Sequence, residues 1–165
     1  MIDEIKKQLF DYETVTITKQ NFGQIFEIYD TNQDFFLLTN GKNANIESSM
    51  NDIDATPPCF EIEQKIYISI WEKSNVIGVL DLLTGYPEQT CIWIGLLLIH
   101  GKMHGKKIGG KIVTAILNAS KTAGYRGVQL GVIENNVKAM AFWQKHGFVK
   151  IGHKENIVVM EKRIA

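Results

Sequence analysis

Apolar positions along the chain follow two periods, and each change of period predicts a change of element. The first ten residues read as a helical lead-in, and "TVTITK" (14–19) alternates as a strand. Asn21 is placed to cap a helix running to about Tyr29. "NIESSMNDID" (45–54) predicts a second short helix, stopped by Pro57-Pro58. Three strand-like runs follow: "KIYISIWE" (65–72), "VIGVLDLL" (76–83) and "CIWIGLLLI" (91–99), separated by turns at Ser74-Asn75 and "TGYPEQ". The last run is apolar at successive positions, so both its faces should be covered and its place is the centre of a sheet. From about Lys107 to Thr122 the spacing turns helical, with Ile108, Ile112, Ala115, Ile116 and Ala119 on one stripe and Gly124 beyond the end. "GVQLGVI" (127–133) is a strand and "NVKAMAFWQKH" (136–146) a helix stopped by Gly147. "FVKIGH" and "IVVMEKRI" close the chain as two strands. The order β-α-α-β-β-β-α-β-α-β-β predicts one α/β domain over residues 1–165, with a mixed central sheet flanked by helices.

Composition adds bounds rather than chemistry. The chain has 165 residues, 45% apolar and 22% charged, which suits one globular unit. No window approaches the roughly 18 unbroken apolar residues of a membrane span, so no membrane partner is expected. The opening "MIDEIKKQLFDYE" is charged and lacks the apolar core of a secretion signal, and the cytoplasm is the expected location. Cys59 and Cys91 have neither metal spacing nor the density of a disulfide scaffold.

Charge does change the picture. The net charge of zero divides unevenly: residues 1–88 hold 15 Asp/Glu and 6 Lys/Arg, whereas residues 89–165 hold 3 and 12. A polyanion on the C-terminal half and a cationic ligand near the N-terminal half would both fit this division; so would two solvated faces. A nucleic-acid partner is not expected, because the chain is not basic overall and its lysines are not interleaved with aromatics.

The densest cationic stretch is "MHGKKIGGKIV" (103–113), with three glycines and three lysines at the mouth of an apolar helix. Gly105-xxxx-Gly110-Lys111 superficially matches a nucleoside-triphosphate loop, but that chemistry needs a Ser/Thr hydroxyl for magnesium where Ile112 stands. The preceding strands also run as a meander rather than as βαβ units. A second reading needs only a central strand, a glycine loop and a helix start, whose free N–H groups and dipole attract a pyrophosphate.

With these residues in view, "LLIHGKMHGKKIGGKIV" resembles the acetyl-CoA loop of the GNAT superfamily of N-acetyltransferases, Gln/Arg-x-x-Gly-x-Gly/Ala after a strand ending Leu-x-Val. The resemblance puts Leu97, Leu98 and Ile99 along the cofactor arm. It puts His104, Gly105, Lys106, Lys107, Ile108, Gly109 and Gly110 around the pyrophosphate. "NNVKAMAFWQKHGF" is similar to a second family segment, Asn-x-x-Ala-x-x-Phe-Tyr-x-x-x-Gly-Phe, and adds Asn136, Ala139 and Phe142 to the cofactor site. A GNAT-like fold, acetyl-CoA as co-substrate and no metal are what the resemblance implies.

The departures carry their own expectations. His104 replaces Gln/Arg, and Lys107 stands where the middle glycine is usual, so Lys107 is expected in ordinary helical conformation. Trp143 occupies the place of a Tyr that protonates the departing thiolate in many relatives, and indole is no useful acid. Trp143 is therefore expected as packing, with the thiolate leaving unaided or protonated by another group. Trp93 stands where some relatives carry a Glu base.

The implied reaction is direct attack of a primary amine on the thioester. It calls for a backbone N–H in Leu97–Ile99, assigned to Leu98, to bind the carbonyl oxygen as it gains charge. A base is also needed, since an alkylammonium has a pKa of about 10. Asp81, inside the apolar run 76–83, is the candidate base or ammonium anchor; a carboxylate there must face water, a partner or substrate. Tyr86 offers a hydroxyl beside the acceptor, and Phe35 and Phe36, in the expected loop between the first two helices, are implied to cover it. Phe36, Asp81 and Tyr86 are thus the expected acceptor residues, with His153 and Glu155 more remote. The acceptor is a small-molecule or peptide amine, and a second copy of the chain is an admissible partner. The rival reading is a CoA-binding regulatory or structural domain without turnover, to which Trp93 and Trp143 both lend support.

Overall fold

In the computed structural model, which describes residues 1–164, the apolar run 91–99 becomes the middle of a seven-stranded sheet. The strands are β1 (Glu13–Thr16), β2 (Lys65–Glu72), β3 (Asn75–Thr84), β4 (Cys91–Ile99), β5 (Gly127–Ile133), β6 (Val149–Lys154) and β7 (Ile157–Arg163). They lie in the order β1-β2-β3-β4-β5-β7-β6, and every pair is antiparallel except β4 with β5. A mixed sheet of this order needs a crossover from β4 to β5, supplied by the long amphipathic helix that the periodicity predicts.

The helices are α1 (Ile2–Gln8), α2 (Phe26–Asp30), α3 (Gln33–Asn40), α4 (Ile46–Ser49), α5 (Ile108–Thr122) and α6 (Val137–Lys145). All five residues of the α5 stripe are buried. They join Ile68, Ile70, Leu80, Leu82, Ile92 and Leu130 in a core cluster that α1 and α6 also cover. The opposite cluster gathers Phe22, Ile25, Ile28, Tyr29 and Phe36 over Tyr67, Val79 and Leu98. No helix among the described residues is long and apolar enough to cross a membrane.

Three expectations are corrected in the N-terminal quarter. Asn21 precedes a 3₁₀ turn, Phe22–Gln24, rather than an α-helix and gives it no side-chain cap: its Oδ1 accepts from Thr18 N–H at 2.8 Å and its Nδ2 donates to Thr16 C=O at 2.9 Å, closing the turn behind it. The strand is accordingly shorter than 14–19. The expected loop around Phe35 and Phe36 is instead α3, so three short helices rather than two separate β1 from β2. The start of α4 is capped by Asn45, whose Oδ1 accepts from Ser48 N–H at 2.9 Å.

Two irregularities of β4 position everything that follows. Its pairing with β5 runs only from Cys91↔Gly127 to Ile94↔Leu130, after which the two parallel strands are no longer paired. A bulge lies at the same level, where Asp81 and Leu82 of β3 face Leu96 and Ile94, leaving Gly95 as the extra residue.

Candidate active site

Beyond Ile94 the β4 backbone borders a gap, and the bulge decides which of its amides open into it. Before the bulge, Gly85 N–H donates to Cys91 C=O at 2.8 Å; after it, His100 N–H donates to Ile77 C=O at 2.9 Å. Alternation from His100 turns the N–H of Leu98 and Leu96 toward β3 and that of Ile99 and Leu97 toward the gap. The Ile99 carbonyl, on the gap side, accepts from Asn32 Nδ2 at 2.9 Å and from His104 Nε2 at 2.8 Å. The assignment of Leu98 as the carbonyl-binding amide is thereby corrected. Its N–H belongs to the β3 ladder, and Leu97 and Ile99 present theirs to the gap.

The start of α5 supplies the anion end of the same cleft. Its first intrahelical bond is Lys111 N–H to Lys107 C=O at 3.1 Å, and Lys107 gives no side-chain cap. The N–H groups of Ile108, Gly109 and Gly110 therefore lack helix partners, at the positive end of a 15-residue dipole. A Cβ added at Gly109 would stand 3.2 Å from Phe142 Cζ, so a side chain here would crowd the ring beside this cradle. Lys107, Lys111, Lys138 and Lys145 line the wider cleft. An anionic cofactor with a diphosphate fits these residues: unpaired donors, positive charge and space coincide.

Lys107 is not helical as expected but left-handed, at φ 64° and ψ 10°. That conformation costs a side-chain-bearing residue on the order of 1–2 kcal/mol and glycine little. Lys107→Gly should consequently be more stable than Lys107→Ala by about 1 kcal/mol in chemical denaturation, reversing the usual helix ranking of the two residues. An alanine variant of equal or greater stability would contradict the assigned backbone.

Helix α6 closes the cofactor side. Asn136 caps it, its Oδ1 accepting from Ala139 N–H at 3.0 Å, and Ala139 and Phe142 line the cleft. Trp143 is buried between Phe142 and Phe148, at ring separations of 5.0 and 5.1 Å. His146 Nδ1 donates to Phe142 C=O at 2.8 Å, and its Nε2 lies 2.9 Å from where a Gly110 Cβ would be.

The cleft spans about 2020 Å³, roughly twice the upper range of single-ligand pockets, which leaves room for a second reactant beside the cofactor. Of the expected cofactor residues, Leu97, Leu98, Ile99, His104, Gly105, Lys107, Ile108, Gly109, Gly110, Asn136, Ala139 and Phe142 line it. Lys106 does not; its Nζ turns back to Met103 Sδ at 3.7 Å.

The expected acceptor residues are placed otherwise. Phe36 is 6% exposed and stacked on Tyr29 at 5.2 Å, in the core, while its neighbour Phe35 lines the cleft. Tyr86 stands behind the cleft wall, edge-on to Trp93 at 5.7 Å, with Phe60 behind it at 6.1 Å. Trp93 itself forms that wall, reaching to 3.5 Å of where a Gly131 Cβ would be.

Asp81 is 8% exposed and lies outside the cleft lining. Its Oδ2 accepts from Lys65 Nζ at 2.8 Å, while Oδ1 is buried without a hydrogen-bond partner among the described residues. Burial pushes its carboxyl up to about 6, against the opposing pull of Lys65. Beside it, Tyr29 donates to Asp52 at 2.9 Å and is bonded to the Tyr67 hydroxyl; burial raises the pKa of both phenols and of Asp52.

Sequence reasoning passed over Asn32, which joins α3 to the end of β4, and His146. "TNQDFF" does carry a helix-start signal, Thr-Asn followed by an acid in the first turn. Nothing local marks His146.

A family model described as the acetyltransferase (GNAT) family matches residues 25–148. No curated protein matches the chain in sequence. Among solved structures, an acetyltransferase from Thermus thermophilus superposes with a TM-score of 0.77 at 19% identity, covering 92% of this chain and 96% of that one. The PaiA N-acetyltransferase from Thermoplasma acidophilum, in complex with coenzyme A, gives 0.68 at 17% identity, covering 92% and 98%. The ribosomal-protein-S18-alanine N-acetyltransferase from Escherichia coli gives 0.67 at 8% identity, covering 93% and 94%. These likenesses concern the fold.

Proposed function

Because the chain belongs to the acetyltransferase (GNAT) family, we propose that it transfers the acetyl group of acetyl-CoA directly to a primary amine of a small molecule or peptide. The observation that carries this reading is the continuity of one cleft, from the unpaired amides opening α5 to the gap-facing amides of β4. The helix start holds the pyrophosphate. Ile99, nearer that end, receives a carbonyl of the pantetheine arm, and Leu97, about 7 Å further along the strand, receives the thioester carbonyl.

Chemistry then follows from placement. The Leu97 N–H stabilises the carbonyl oxygen as charge grows on it. Holding amine and thioester together along the Trp93 wall removes the entropy cost of their encounter. The amine forms the C–N bond, the C–S bond breaks, and the electron pair leaves on sulfur as thiolate. A thiol pKa of about 8.5 makes that departure feasible without an acid at position 143. Asp81 does not line the cleft, so the amine's proton reaches it through water beside Gly95, which is exposed and puts no side chain between the cleft and the carboxylate.

Trp93 and Trp143, standing where relatives carry base and acid, favour one second reading, a CoA-binding domain without turnover. Thiol release from acetyl-CoA with a panel of amines separates the two. Acceptor-dependent release supports the transferase, and calorimetric binding of CoA with no such release supports the rival.

A further inference from the structure

Outside the cleft a lysine side chain is buried against a face of the sheet. The side chain of Lys65 is 3% exposed, and its Nζ donates to Asp81 Oδ2 at 2.8 Å and to Ala55 C=O at 2.7 Å. It also lies 5.4 Å from the centre of the Tyr67 ring. Register explains the meeting: Tyr67 is opposite Asp81 and Lys65 opposite Leu83, so Lys65 and Asp81 are diagonal neighbours on one face. The carboxylate they share lies against the β4 bulge, with Cγ and Oδ2 both 3.2 Å from where a Gly95 Cβ would be. Gly95 has no left-handed backbone to account for it; the space taken by Asp81 does.

A buried ion pair is often no more stable than apolar side chains of the same shape, so stability alone does not explain this one. Its geometry does something an apolar pair cannot. We propose that Lys65 is a positioning residue for acyl transfer: by engaging Oδ2 it holds Asp81 as a carboxylate against the β4 bulge, two residues before Leu97, and leaves Oδ1 unshared. The inference rests on the reading of Asp81 as proton acceptor.

Three ionisable groups act on this carboxylate, and a fourth, Tyr29, is bonded to two of them. Lys65 and Tyr67 come from β2, Asp52 from the 3₁₀ turn Met50–Ile53 and Tyr29 from α2. Lys65 alone among them brings positive charge. Burial and Asp52 both favour the protonated carboxyl, and a protonated Asp81 cannot accept the amine's proton. Activity therefore rises with pH through the Asp81 titration, and removal of the lysine charge moves that rise to higher pH.

The test follows CoA release from acetyl-CoA with ethylamine as probe acceptor, as kcat/KM against pH. The slope contributed by the amine's own ionisation is common to all variants. Lys65→Met should move the acidic limb upward by about 1–3 pH units, the range an adjacent opposite charge produces. Lys65→Arg should keep the limb near its original position, and both variants should bind acetyl-CoA as the unaltered protein does. If Lys65→Met does not fold, Lys65→Gln carries the same expectation. Asp81→Asn separates the possible failures. If it abolishes the limb while a neutral residue at 65 leaves the limb unmoved, the role of Lys65 is overturned alone. If the limb survives Asp81→Asn, the proton-acceptor reading falls and takes this inference with it.

Discussion

Gly109→Asp should weaken acetyl-CoA binding by at least about 100-fold, close to 3 kcal/mol, without unfolding the protein. Gly109 is the second residue of α5 and one of three whose N–H groups have no helix partner. An acid in the first turn suits the helix dipole, so the helix itself should tolerate the change. The anion site should not. The new side chain starts 3.2 Å from Phe142 and places a carboxylate over the donors that a pyrophosphate needs. Like charge is then opposed to like at the amides themselves, where the lysines that line the cleft do not offset it.

Titration calorimetry checks this, with thermal unfolding as the control for fold. Gly109→Ala, which adds the crowding without the charge, should lose much less. A folded aspartate variant with a dissociation constant within threefold of the original would remove the pyrophosphate from the start of α5. High salt should narrow the difference between the two variants, because the charge contribution is screened and the steric one is not.

What the chain discloses about this site depends on how local each feature is. The α5 stripe is legible because five apolar residues at helical spacing bury one face, and all five are buried. The central place of β4 is legible because its residues are apolar on both faces. Helix α3 is not. Phe35, Phe36, Leu37 and Leu38 are consecutive, so no period emerges, and Leu37 and Leu38 remain 48% and 47% exposed. What holds α3 is remote: Asn32 before it bonds the Ile99 carbonyl, 67 residues away. For that reason Phe36 reads as an acceptor residue in the sequence, although it belongs to the core. The Lys65–Asp81 pair depends likewise on register between strands 16 residues apart in sequence. Lys107 offers no local hint of a left-handed backbone, since its side chain favours the ordinary helix.

The direction of the β4 amides is the clearest case of a property that sequence alone withholds, and it yields the second large effect. Leu97→Pro should lower kcat by about 100- to 1000-fold, the loss typical of one removed oxyanion donor, while costing little stability. Proline lacks the N–H, and at Leu97 that group faces the gap and contributes nothing to the β3 ladder. Leu98→Pro should behave in the opposite way. The Leu98 N–H lies on the β3 side opposite Val79, so its removal breaks the ladder at the centre of the sheet. Leu98→Pro should therefore lower the unfolding midpoint substantially. Without the extra residue at Gly95 the alternation would shift by one position, and the two outcomes would exchange. Unfolding midpoints together with kcat at saturating acetyl-CoA read both. A stable, inactive Leu98→Pro beside an unfolded Leu97→Pro would place the bulge, and the carbonyl-binding amide with it, one residue away from where the β3 register puts them.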